Sequence, residues 1–215
     1  MSTPTDAEKL ERLWSISQIR DLPLRYALYI DTRDLERFAE LWSPRAERAE
    51  PPDMDHHTFA DGVDRFFRSS TASVHLVANH LIEFDDPSHA RGHVYCWAQT
   101  DRTSAWVEQM VLYQDRYVRG PDGVWRFETR RHLLWWGLPL PVHPRHQEPM
   151  DWPHGEVHGN ASFGRGSLPE GFATYRAFWG LEPGETLDGR PAATGEAIPS
   201  GRSAAEQSPQ SEPIE

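Results

Sequence analysis

The sequence predicts an α+β fold in which a curved antiparallel sheet wraps around N-terminal helices. Three observations carry this expectation. Apolar residues recur at helical spacing only before Ser70, four long β-rich runs follow with short turns between them, and proline and glycine concentrate after Gly137.

Thr5 followed by Glu8 three positions later is a capping box and starts the first helix. Leu10, Leu13 and Trp14, then Leu22, Tyr26, Tyr29 and Ile30, recur at helical spacing around a break or kink at Pro23, which predicts a helical hairpin. The stretch from Asp31 to Asp34 interrupts the apolar pattern. Leu35, Phe38, Ala39 and Trp42 then follow at i, i+3, i+4 and i+7, and Pro44 closes that helix. Phe59, Val63, Phe66 and Phe67 predict a further short helix over residues 58–68.

The β-rich runs are Ser73 to Phe84, Ala90 to Thr100, Ala105 to Val118 and Val124 to Trp136. Asp85-Asp86-Pro87, the stretch from Asp101 to Thr103, and Gly120-Pro121-Asp122-Gly123 separate them, short enough for hairpins and hence for four consecutive antiparallel strands. A sheet bent over helices encloses a cone, which can hold a pocket or a filled core.

Beyond Gly137 lie 11 of the 18 prolines and 10 of the 15 glycines, the chemistry of loops. Residues 138–181 still carry Trp152, Phe163, Phe172, Tyr175, Phe178 and Trp179, and read as an extended arm packed on its own or a neighbouring subunit. Residues 182–215 carry no aromatic residue and read as a disordered tail. The organisation expected is therefore a domain over 1–137, an arm over 138–181 and a tail over 182–215.

With 22 basic and 33 acidic residues and a formal charge of −11, the chain lacks a basic footprint for nucleic acid. The single cysteine, Cys96, excludes an intrachain disulfide or a multi-thiolate zinc cage, and reads as a small buried side chain. No apolar run approaches the roughly 20 residues that span a bilayer, so a cytoplasmic protein with no membrane contact is expected.

No phosphate-binding glycine loop, dinucleotide fingerprint or nucleophile elbow occurs. The remaining chemistry is proton transfer, from Tyr26, Tyr29, Asp31 and Asp34 near the end of the helical region and His75, Asn79 and His80 on the first strand. Imidazole exchanges protons near neutral pH, a carboxylate bonded to one ring nitrogen fixes the tautomer, and a phenol can donate to a carbonyl that becomes an enolate. Each residue also has a structural reading. Asp31 and Asp34 resemble a helix N-cap with an acidic third position, the two tyrosines fit a buried helix stripe, and His75 suits a strand core. His80 has the opposite parity to His75 unless a bulge intervenes. Of Arg130 and Arg131 only one faces inward, and Arg131 is the expected one. Trp97, Trp106, Trp135 and Trp136 imply an aromatic interior, with Trp97 a candidate substrate contact. Asp55-His56-His57, His143, His146, His154 and His158 lie in loops without recurrent ligand spacing, so no metal site is expected.

Arg25-Tyr26-Ala27 with Asp31 and Asp34, the run from Phe38 to Trp42, the strand from His75 through Asn79 to Phe84, Tyr113 to Tyr117, Gly123 to Phe127, and Arg130-Arg131 together resemble the SnoaL-like group of the nuclear-transport-factor-2-like superfamily over about residues 8–136. The resemblance implies a cone-shaped barrel with a deep apolar pocket, assembled as a homo-oligomer, dimer or trimer. It also implies cofactor-independent dehydration, isomerisation or cyclisation of polycyclic steroid or polyketide compounds, in the manner of scytalone dehydratase and bile-acid 7α-dehydratase. By that resemblance Tyr26, Asp31 and His75 are the catalytic residues. Asn79 and Arg131 are expected to position polar substituents of a hydrophobic hydroxy-ketone or enone, with Trp97 as a further substrate contact. The superfamily also contains noncatalytic binding proteins and partner subunits, which is the alternative reading.

Overall fold

The computed structural model describes residues 3–44, 64–102, 105–147 and 168–187. Helix α1 (Asp6–Asp31) opens with the expected capping box: the Glu8 backbone N–H donates to Thr5 Oγ1 at 3.3 Å and the Thr5 N–H to Glu8 Oε2 at 2.7 Å. The expected hairpin is replaced by one continuous helix running through Pro23. An internal proline costs about 3 kcal/mol. Here it lies fully buried on the same stripe as Ser15, Ile19, Leu22, Ala27 and Ile30, and packing of that stripe against the sheet offsets the lost hydrogen bond. Leu10, Leu13 and Trp14, at the free end of the helix, stay exposed.

The second helix, α2 (Leu35–Glu40), is capped by Asp34, whose Oδ1 accepts the Arg37 N–H at 3.2 Å. Asp31 is no N-cap, because it is the last residue of α1. The chain turns between the helices through Arg33, which holds the left-handed conformation at φ 57°. Residues 64–68 are helical, and the rest of the helix expected over 58–68 lies outside the described residues.

Strands β1 (Ser73–Phe84), β2 (His89–Arg102), β3 (Ala105–Arg119) and β4 (Trp125–Pro139) form one antiparallel sheet in sequential order. The sheet is curved but unclosed, with β1 and β4 as its edges, so the expected barrel is an open one. Gly123, at φ 77°, lets the β3–β4 turn close. Register shifts between Val77 and His80 on β1, and opposite Met110/Val111 and Arg116/Tyr117 on β4, each place an extra residue in one strand and bend it.

The main core brings Ile19, Leu22 and Ile30 of α1 and Phe38 of α2 against Tyr117, Trp125 and Phe127 of the sheet. Tyr117 fits because Gly92 faces it across the ladder, where a Cβ would lie 2.9 Å from the ring. A second cluster, Val94, Cys96, Ala98, Val111 and Tyr113, continues the concave face towards the other end, with Cys96 buried as expected.

Strand β4 ends at Pro139, two residues past the expected domain boundary. Within the chain, the described residues of the arm contact the segments before β1. Helix α3 (Ala173–Trp179) buries Tyr175, whose hydroxyl donates to the Thr71 carbonyl at 2.5 Å, while Thr174 Oγ1 donates to the Thr32 carbonyl at 2.8 Å. Arg145 is buried against the Leu168 carbonyl and the Glu170 carboxylate. Trp152, Phe163 and residues 188–215 lie outside the described residues. Among the described residues no helix is long and apolar enough to cross a membrane.

Candidate active site

The end of α1 delivers Asp31 to the first residues of β1. Because β1 is an edge strand, the backbone N–H of His75 is free of the ladder and donates to Asp31 Oδ2 at 2.9 Å. Asp31 Oδ1 lies 2.7 Å from His75 Nδ1 and accepts the Ser73 hydroxyl at 2.8 Å. Three contacts therefore lock the carboxylate against one imidazole. With Nδ1–H donated to Asp31, the tautomer leaves Nε2 as the basic nitrogen.

His75 forms part of the wall of a cavity of about 120 Å³ at the open end of the concave face, together with Tyr26, Ser73, Tyr113 and His132. The Tyr26 ring packs against Phe38 at 5.2 Å and against Tyr113 at 5.9 Å. Burial raises the Tyr26 pKa, opposed in part by Arg130, so the phenol stays protonated and able to donate. His132 sits 5.3 Å from the Tyr113 ring, and its pKa is lowered by burial and then by His75, Arg130 and Arg102.

Arg33 also lines this cavity, although the sequence reading did not single it out. Nη1 donates to the Ile30 carbonyl and to Ser73 Oγ at 3.3 Å, and Nη2 donates to the Ser70 carbonyl at 2.9 Å. Arg33 and Asp31 are thus linked through one serine hydroxyl. Burial lowers the Arg33 pKa, while Tyr175, Asp31 and Asp101 favour its charge.

Further along the same face lies a second polar group. Arg130 donates Nε–H to Asp115 Oδ1 at 2.8 Å and Nη2–H to Oδ2 at 2.7 Å, with both side chains almost wholly buried. Tyr26, Tyr113 and Phe127 surround the guanidinium at 4.2, 4.1 and 4.4 Å. The Tyr117 hydroxyl donates to Asp115 Oδ2 at 2.8 Å and lies 3.0 Å from His80 Nε2. Burial pushes the His80 pKa down to about 4.

The structure brings Tyr26, Asp31 and His75 together and places Asn79, Trp97 and Arg131 elsewhere. Asn79 and Arg131 are exposed on the convex face. In each case a bulge reverses the strand's alternation: the shift after Val77 turns His80 inward in place of Asn79, and the shift beside Phe127 turns Arg130 and His132 inward in place of Arg131. Trp97 needs no bulge to face outward. It pairs with Leu76, whereas Ala98 pairs with His75 on the concave side. Tyr29 lies in a separate groove beside α2 and the β3–β4 turn. His143 Nε2 lies 3.0 Å from Asp101 Oδ1, with its ring stacked on His146 at 3.9 Å. Asp55-His56-His57, His154 and His158 lie outside the described residues. Pairing parity could have revealed Trp97's position, and the adjacent Arg130-Arg131-His132 triplet was the one signal for His132. Nothing in the apolar pattern marks Arg33.

Several solved structures share this fold. A candidate scytalone dehydratase from Novosphingobium aromaticivorans DSM 12444 superposes with a TM-score of 0.55 at 17% identity, covering 63% of this chain and 93% of the other. The hexachlorocyclohexane dehydrochlorinase LinA-type3 from Novosphingobium barchaimii LL02 gives 0.57 at 22%, covering 63% and 97%. A type 2 dehydrochlorinase gives 0.55 at 21%, covering 63% and 95%. No curated protein matches the sequence. The SnoaL-like domain profile matches residues 11–131, more than half of the chain, and the protein belongs to the SnoaL-like family of the nuclear-transport-factor-2-like superfamily.

Proposed function

We propose that the protein is a cofactor-independent lyase or isomerase that moves a proton next to a carbonyl. The observation that carries this reading is the 2.7 Å contact between Asp31 and His75 Nδ1 at the wall of a cavity that also holds Tyr26. His75 Nε2 takes the proton from the carbon beside the carbonyl, and Asp31 holds the resulting imidazolium in place. Tyr26 donates to the oxygen that becomes an enolate. Returning the proton to another carbon isomerises the substrate, while loss of a β-hydroxyl as water dehydrates it. The names of the similar structures, a dehydratase and dehydrochlorinases, support elimination as the outcome.

The substrate class we propose is an apolar cyclic hydroxy-ketone or enone. An engineered cavity of about 150 Å³ holds benzene, so the 120 Å³ here accommodates one ring of such a compound. In a fused-ring steroid or polyketide the other rings would extend beyond this cavity.

The test is hydrogen exchange rather than a guessed turnover. Cyclohex-2-enone and 3-hydroxycyclohexanone are incubated with the protein in D₂O and followed by NMR. The expected result is deuterium incorporation beside the carbonyl with the wild type and its loss with His75→Gln and Asp31→Asn. Equal incorporation by wild type and His75→Gln would sink the proposal.

A second reading, assembly with further copies or with a partner subunit, is favoured by the convex face. Leu76, Trp97, Met110 and Trp136 form one row across all four strands, and Tyr95 stacks on Trp135 beside it at 6.4 Å. Polar rows containing Gln99 and Glu108 on one side, and His93, Gln114 and Arg131 on the other, flank this band. Light scattering on Trp97→Glu/Trp136→Glu measures the role: a fall in mass supports assembly through this face, and an unchanged mass removes it.

A further inference from the structure

The lining of the cavity has a charge pattern that the acid–base reading does not use. Its described residues include two guanidinium groups, Arg33 and Arg102, and two imidazoles, but no carboxylate, since Asp31 stands behind His75. This cationic lining belongs to a chain with a formal charge of −11. Arg33 is only 3% exposed, yet its hydrogen bonds go to neutral acceptors alone: the Ile30 and Ser70 carbonyls and the Ser70 and Ser73 hydroxyls. Its Nε is buried with no partner. Buried charges are ordinarily paired directly; the nearest carboxylate, Asp31, reaches Arg33 only through the Ser73 hydroxyl and is itself bonded to His75, so the guanidinium is compensated at a distance and keeps an unpartnered Nε. Arg102, exposed at the rim, makes one side-chain hydrogen bond among the described residues, Nη1 to Ser69 Oγ at 3.4 Å, which leaves most of its donors available.

We propose that the cavity mouth is a carboxylate subsite, in which Arg102 binds the carboxylate of a one-ring acid and the buried charge of Arg33 favours the anion. The ring occupies the 120 Å³ beside His75. This deepens the proposed function, which places the reacting carbon at His75, by assigning the substrate an acidic group about one ring away. The guanidinium fork suits a carboxylate.

The experiment is titration calorimetry on the full chain with two probes of equal shape, benzoate and benzamide. Benzoate is expected to bind about tenfold more tightly than benzamide, the scale of one hydrogen bond to a charged group. Arg102→Gln should abolish the difference. Arg131→Gln, which removes the same charge from the convex face, should preserve it. Equal binding of the two probes, absence of benzoate binding, or equal loss in the Arg102→Gln and Arg131→Gln variants would each overturn the proposal. The deuterium-exchange assay separates it from the acid–base reading. Benzoate selectivity that depends on Arg102, without exchange, supports the subsite and counts against the catalysis. Exchange of neutral ketones without benzoate selectivity does the reverse.

Discussion

Two aspartates face cation-forming side chains on the concave side of this fold, and their surroundings differ in one decisive respect. Asp115 and Arg130 are sealed: their side chains are 0% and 4% exposed, joined by two parallel hydrogen bonds and ringed by Tyr26, Tyr113 and Phe127. Asp31 and His75 keep 21% and 10% of their side-chain surface, and the imidazole borders a cavity. The sealed pair is buried and joins β3 to β4. The bordering pair presents one nitrogen to open space. The two pairs differ in their access to open space: Arg130 also keeps an unpartnered Nη1, but it is buried, whereas His75 borders the cavity.

That contrast can be broken experimentally. The largest effect expected is on His75: His75→Gln should lower deuterium exchange by about 10²- to 10⁴-fold, with a melting temperature close to wild type by calorimetry. Asp115→Asn should do the opposite. It leaves a buried guanidinium without its anion and should reduce unfolding free energy by about 3–5 kcal/mol, measured by urea denaturation. If Asp115→Asn melts like the wild type, the sealed pair is not structural. Tyr26→Phe removes the donor proposed for the enolate oxygen and should slow exchange by about 10²-fold, read in the same assay.

A smaller effect concerns His80, which packs on the sealed pair through Tyr117. Burial lowers its pKa to about 4 from an ordinary 6.5, so between those values the unfolded chain binds the proton and the native state does not. Stability is therefore retained above pH 6.5 and falls as the pH drops towards 4. His80 keeps part of its surface in water, so its share is about 1 kcal/mol after solvent screening. Denaturation at pH 7 and pH 4.5 should show a shallower decline for His80→Asn than for the wild type. The smallest effects belong to the convex face: Asn79→Ala and Arg131→Gln should each change stability by less than about 0.5 kcal/mol and leave exchange rates alone. A tenfold loss of exchange in either would place that residue back at the cavity.

Much of the architecture was legible in local sequence. The Thr5–Glu8 box and the Gly123 turn depend on interactions within a few residues, and they and the four strands appear within about three residues of where the pattern placed them, whereas the cap expected at Asp31 falls on Asp34. Pro23 misled because its cost is local while the burial that offsets it comes from the sheet. Asn79 and Arg131 misled for a related reason. Alternation is a counting rule, and one inserted residue in β1 or β4 inverts every side chain beyond it.

Composition, spacing and turn chemistry determined by themselves that this chain makes helices followed by an antiparallel sheet, and that the residues proposed for proton transfer lie at the end of α1 and the start of β1. Tertiary structure alone decided which of those groups meet: that Asp31 turns to an edge strand instead of capping a helix, that Arg130 is sealed while His132 reaches the cavity, and that Arg33 is buried with Asp31 reached only through the Ser73 hydroxyl. The reason is the range of the forces. Helix caps and turns are set by hydrogen bonds within a few residues, whereas bulge positions and the pairing of buried charges are set by packing between segments farther apart in sequence, from 15 residues for Asp115 and Arg130 to 44 for Asp31 and His75.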